Sequence, residues 1–254
     1  MLTRLGIAAV AILAVGLGWY AFGRDLGGTG VVPTPSPTAT PTPTATPTPT
    51  ATPAADPTPI TNRLGITALE PGTYRLNPFR PSGESPGTIL VTLSGDGWTS
   101  WDDYAVDKNY DTGKDGAGLS VVNWVINNRM VDPCKDHTLL DPAPGPGIDD
   151  LIEALSTQPN LTASEPQAVT IDGYSGMSVE LTTPPDFSVC TSTIYMFSDG
   201  VNHRFAQGPN ETVRVYVLDV DGNRRTFFVR IPGRTAPEDR AELEDVIASI
   251  DIEP

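Results

Sequence analysis

Between Gly97 and Asp115 the chain reads GWTSWDDYAVDKNYDTGKD, in which Trp98, Trp101, Tyr104 and Tyr110 alternate with Asp102, Asp103, Asp107 and Asp111. Aromatic faces beside carboxylates can stack on a sugar ring and accept its hydroxyl hydrogens. Trp101, Asp102, Asp103 and Tyr104 are therefore candidate ligand-binding residues, and the same carboxylates form a candidate cation site. The competing reading makes this stretch a strand that runs into a loop, with tryptophans filling the core and acids facing water. Trp98 follows the tight Gly95-Asp96-Gly97 sequence at the end of an apolar run, so burial is expected for it. Trp101 and Tyr104 lie further into the acidic segment and are expected nearer solvent.

Cys134 and Cys190 are the only cysteines. An even count in a chain that leaves the cytoplasm favours a disulfide. Such a bond closes a loop of about 57 residues, worth about 4 kcal/mol on the chain-entropy account. Cys134 and His137 have the spacing of a metal pair, but Cys190 and His203 stand apart from any second pair, so no metal centre is expected. With two histidines in all, triad chemistry has little to work with.

Other motifs read as turns. Gly173-Tyr174-Ser175-Gly176-Met177 resembles a nucleophile elbow, except that Met177 replaces its last glycine. Thr112-Gly113-Lys114-Asp115-Gly116 has a Gly-Lys pair without phosphate-loop spacing. Asp219-x-Asp221-Gly222-Asn223 echoes a calcium loop, with its glycine early and no Glu at the twelfth position. Asn160 and Asn210 head glycosylation sequons in segments that read as loops. No catalytic residue and no cofactor is expected.

The elements that would carry these residues are mostly strands. Tyr74–Asn77, Thr88–Leu93, Leu119–Ile126, Ala168–Ile171, Met177–Thr182 and Thr193–Phe197 have strand character. VRVYVLDVDGNRRTFFVRI places Val213–Asp219 and Arg225–Ile231 around Asp221-Gly222, a strong hairpin signal because both turn residues tolerate positive φ. Ile148–Thr157 aligns Ile148, Leu151, Ile152 and Leu155 at helical spacing, and Pro237–Ile250 aligns Leu243, Val246, Ile247 and Ile250. Thr235-x-x-Glu238 reads as a capping box for the second helix. The pattern predicts an α+β fold: an antiparallel sheet of about six to eight strands packed with two helices.

That domain, residues 61–254, is the third part of the chain. Residues 1–31 hold an uncharged apolar run, Leu5–Phe22, near the lower length limit for a membrane span. Arg4 and the terminal amine precede it, which predicts the N-terminus inside and the C-terminus outside. A cleaved signal peptide with its cut near Gly23 is the rival reading. Residues 32–60 repeat PTPTAT and predict an extended, disordered stalk of at most roughly 85 Å. The net charge of -15 belongs to the third part, because the few charges up to Ile60 cancel. Such a surface repels phosphates, so no nucleic-acid partner is expected.

The phrases PGTYRLNPF (Pro71–Phe79), VTLSGDGW (Val91–Trp98), DVDGNRRTFF (Asp219–Phe228) and RAELEDVIASIDI (Arg240–Ile252) resemble a group of uncharacterised membrane-anchored bacterial envelope proteins. More weakly, the opening strand with its DGW and the closing helix resemble the PsbP-like α/β/α sandwich. That resemblance implies an antiparallel sheet between helices and a non-enzymatic binding or assembly role in a cell envelope. It implies no catalytic residues. The partners expected are an envelope protein or, from the aromatic–acidic stretch, a cell-wall glycan. The expected location is the cell membrane, single-pass, with the domain outside the cytoplasm. The other readings are a carbohydrate-binding cell-wall domain and an envelope hydrolase.

Overall fold

The computed structural model describes residues 56–60, 66–79, 87–110, 118–135, 137–191 and 193–254. The apolar N-terminal run, most of the stalk and the 111–117 segment lie outside the described residues. Among the described residues sixteen strands and two α-helices follow one another. The first eight strands are β1 (Thr58–Pro59), β2 (Ile66–Leu69), β3 (Gly72–Leu76), β4 (Thr88–Leu93), β5 (Trp98–Trp101), β6 (Ala105–Lys108), β7 (Ser120–Val122) and β8 (Asn128–Arg129). Helix α1 (Ile148–Ser156) precedes β9 (Thr162–Ala163), β10 (Gln167–Ile171), β11 (Tyr174–Thr182), β12 (Tyr195–Ser198), β13 (His203–Phe205), β14 (Thr212–Val220) and β15 (Asn223–Ile231). Helix α2 (Pro237–Ala248) and β16 (Asp251–Glu253) close the chain.

Strands β14 and β15 pair over nine residues through the expected Asp221-Gly222 turn, where φ is +54° and +80°. They sit mid-way in a nine-stranded antiparallel sheet of order β10-β11-β14-β15-β7-β6-β5-β2, with β9 also on β11. Side chains alternate across its faces, and both faces are covered. Tyr216, Leu218 and Val220 enter a first core with Phe227, Val229 and Ile231. Val213, Val215 and Val217 enter a second core with Phe228. Burial on both sides explains why TVRVYVLDV reads as an almost continuous apolar run rather than a polar–apolar alternation.

A four-stranded sheet, β1-β3-β4-β16, and the Leu243–Val246–Ile247 face of α2 close the first core. A three-stranded sheet, β13-β12-β8, and Leu151, Ile152 and Leu155 of α1 close the second. The fold is thus α+β, with a central antiparallel sheet and one helix on each face. It differs from the single sheet of six to eight strands expected, because β3 with β4 and β12 with β13 pair outside the central sheet and form two further sheets over its faces. Thr58–Pro59, within the Pro/Thr-rich stretch, pairs with Tyr74–Arg75, so the folded part begins before residue 61.

The Cys134–Cys190 disulfide is present, with Cα atoms 4.6 Å apart. Disulfides form and persist in oxidising compartments outside the cytoplasm. Among the described residues no helix is long and apolar enough to cross a membrane. The expected capping box on α2 does not form. Ala236 is the N-cap with no side-chain bond, and Thr235 Oγ1 donates to the Pro232 carbonyl instead.

Candidate functional site

The aromatic–acidic stretch folds into the β5–β6 hairpin. Trp101 pairs with Ala105, and Asp102, Asp103 and Tyr104 form the turn, with Asp102 at φ +51°. Trp98 is 1% exposed, as expected. Tyr104 does not face solvent as expected: it is 7% exposed and packs edge-on against Phe79 and Trp124, at 4.8 and 6.2 Å. Trp101 is half-buried, tilted against Tyr104 at 6.0 Å, and packs on the second core. Asp103 Oδ2 accepts a 2.9 Å bond from Asn77 Nδ2. Burial, followed by the charges of Asp102 and Asp107, pushes the Tyr104 hydroxyl up to about 12. The four residues lie together, with their rings turned into the fold rather than presented as a flat exposed platform. The physical reason is the strand register. Trp101 and Ala105 pair, and the second core receives Tyr104, Ala105 and the ring of Trp101.

Sequence reading did not single out a second constellation, at the end of the central sheet. Four segments meet there around a recess of about 650 Å³. Lys108 and Asn109 end β6, and Gly118 and Leu119 precede β7. Gln207–Pro209 and Glu211 lead into β14. Arg230, Pro232–Ala236 and Asp239 connect β15 to the first turn of α2. The approach of β6 to residue 118 is so close that a Cβ there would overlap the Lys108 carbonyl, so glycine is required.

Buried ion pairs form the floor. Arg230 Nε donates to Glu211 Oε2 at 2.9 Å, and its Nη1 donates to the Gly118 carbonyl at 2.8 Å. Arg204 Nη2 stands 3.6 Å from Glu211 Oε1. All three side chains are almost fully buried. Burial pulls the Arg204 guanidinium down to about 10, against the opposing charge of Glu211. Asp107, on the same sheet face as Arg230, accepts a hydrogen bond from Ser120 Oγ, while its Oδ2 has no partner. Desolvation pushes its carboxyl up to about 6, although Ser120, Arg230 and Arg204 act the other way.

On the opposite face Lys108 Nζ donates to Glu242 Oε2 at 2.6 Å and also to the Asp96 carbonyl. Trp98 Nε1 donates to Glu242 Oε1 at 2.6 Å. Burial raises the Glu242 carboxyl, but the Lys108 and Trp98 hydrogen bonds outweigh it and hold the group below the usual range. Asn109 Nδ2 donates to Asp239 Oδ2 at 2.9 Å. The recess wall therefore mixes cations (Lys108, Arg230, Arg234), carboxylates (Glu211, Asp239) and amides (Asn109, Gln207). Such a wall suits a polar ligand that both donates and accepts hydrogen bonds. Perturbed titratable groups beside a recess are also where binding sites concentrate.

Among the described residues no group of three or more metal-ligating side chains comes together. Comparison with known protein families and with curated proteins finds no match for this chain.

Proposed function

We propose that this protein is a non-enzymatic binding or assembly module of the cell envelope, held outside the cytoplasm and presented on its Pro/Thr-rich stalk. The Leu5–Phe22 run is its single-pass anchor. The resemblance to membrane-anchored envelope proteins supports this reading, as does a central antiparallel sheet with one helix per face, the layering that the PsbP-like resemblance implies. The disulfide fits the extracytoplasmic location.

The observation that carries the proposal is the 650 Å³ recess with a floor of buried, paired Glu211 and Arg230, backed by Arg204. Its near balance of charge and its planar amide and carboxylate groups favour a hydroxylated ligand such as a sugar unit of the cell wall. This moves the carbohydrate reading from Trp101–Tyr104 to the recess. The test is calorimetric titration of the full chain with soluble peptidoglycan fragments. Saturable binding that weakens about tenfold in Gln207→Ala or Arg234→Ala, each worth roughly a hydrogen bond to the ligand, is the expected result. Binding unchanged by both variants, or no binding, rejects the recess as the ligand site.

A further inference from the structure

Along the central sheet the strands bond on both sides except β2 at one end and β9 and β10, which share the outer side of β11, at the other. Strand β10 pairs with β11 in an unbroken five-residue register, from Gln167↔Ser178 to Ile171↔Tyr174. Among the described residues its other edge meets no strand, and Gln167, Ala168 and Thr170 are exposed. Natural sheet edges are normally blunted by an inward lysine, a proline or a bulge, because a bare edge templates another strand. On this edge Pro166 and a one-residue register shift separate β9 from β10, and the five residues QAVTI beyond them carry no such device. Val169 and Ile171 are anchored on the first core, so the edge is held in place rather than frayed.

A groove of about 570 Å³ starts at this edge and runs over the face of β10, β11 and β14 beside α2, lined by Glu165, Val169, Glu180, Arg214, Glu244 and Ile247 among others. Its one cation, Arg214, is already shared by Glu180 at 2.8 Å and Glu244 at 3.0 Å. Asp172 and Asp251 crowd the far end of the strand. Burial and then the Asp172 charge raise the Asp251 carboxyl. The edge is thus uncharged along its backbone and flanked by an excess of carboxylates.

We propose that the β10 edge is a docking edge for an extended, lysine- or arginine-bearing segment of a partner protein, which adds as a further strand. Main-chain hydrogen bonds would supply the pairing, and alternate basic side chains would lie in the acidic groove. Charge complementarity selects this occupant. A second copy of a chain with net charge -15 would bring carboxylates against carboxylates. The inference concerns a surface separate from the recess and stands or falls independently of it.

The test uses the full chain and a synthetic seven-residue peptide alternating valine and lysine, followed by fluorescence anisotropy. Saturable binding is expected, with new hydrogen-exchange protection at Ala168–Thr170. Thr170→Lys, an exposed change that leaves the fold intact, should weaken it about tenfold, roughly one net hydrogen bond's worth of pairing. A peptide with proline at its centre should bind equally poorly. Absence of binding overturns the proposal. So does binding that survives both changes, which would be charge attraction alone, and so does concentration-dependent dimerisation that buries β10 in place of the peptide.

Discussion

Trp98 and Asp107 show how differently two neighbouring positions on one hairpin are used. Trp98 is fully buried in the first core, with its indole N–H committed to Glu242. Trp98→Ala should cost about 3–5 kcal/mol in urea unfolding, since it leaves a large cavity and strips a partner from a carboxylate. Trp101→Ala removes a half-buried ring and should cost about 1–2 kcal/mol. Asp107 is buried with one oxygen unpartnered, and its carboxyl titrates near 6 instead of near 4. The folded state therefore holds its proton more tightly than the unfolded chain. Its contribution to stability is fully present below about pH 4 and is lost as pH rises through 6. Asp107→Asn should remove that loss. The variant should gain on the order of 2 kcal/mol relative to the parent between pH 4 and pH 7.5, measured by melting at each pH. Parallel pH profiles for parent and variant would refute the assignment.

At the scale of elements, the β14–β15 hairpin was legible because two β-branched runs flank an Asp-Gly pair, and only residues tolerant of positive φ fit there. Gly222→Ala, at φ +80°, should cost about 1 kcal/mol or more by chemical denaturation, whereas the same change on a flanking exposed strand position would be nearly silent. Both helices were legible from their apolar spacing. The β5–β6 hairpin was not, because four-residue strands mixing tryptophan, aspartate and lysine show no clean alternation. Burial of Asp107 and Lys108 depends on partners far along the chain. Thr235 looked like a cap, yet its hydroxyl closes the preceding turn instead. The recess was hidden for the same reason, since its walls come from segments up to 131 residues apart in sequence, Lys108 to Asp239. One signal was available: Arg230 is a charge inside the apolar run FFVRI, where a buried cation demands a partner.

At the scale of the domain, a disulfide and buried ion pairs tie parts of the fold to one another. The Cys134–Cys190 bond fastens the segment after β8 to the segment before β12, beside the small sheet over the second core. Replacing both cysteines by serine should cost about 4 kcal/mol and release hydrogen-exchange protection around β8, β12 and β13 first. The Arg204–Glu211–Arg230 pairs link that small sheet to the central one, and Glu211 and Arg230 also floor the recess. Rigidity and ligand binding would then share residues, so variants in the floor conflate the two. The rim residues Gln207 and Arg234 separate them.

The measurement that bears most directly on the recess as the functional site is mapping of amide chemical shifts in the full chain during titration with soluble peptidoglycan fragments. The account predicts saturable shifts concentrated at Asn109, Gly118, Gln207–Gly208 and Gly233–Ala236, with the Trp98 indole N–H following through Lys108 and Glu242. Shifts confined to Trp101–Tyr104, or none anywhere at saturating fragment concentration, would contradict it.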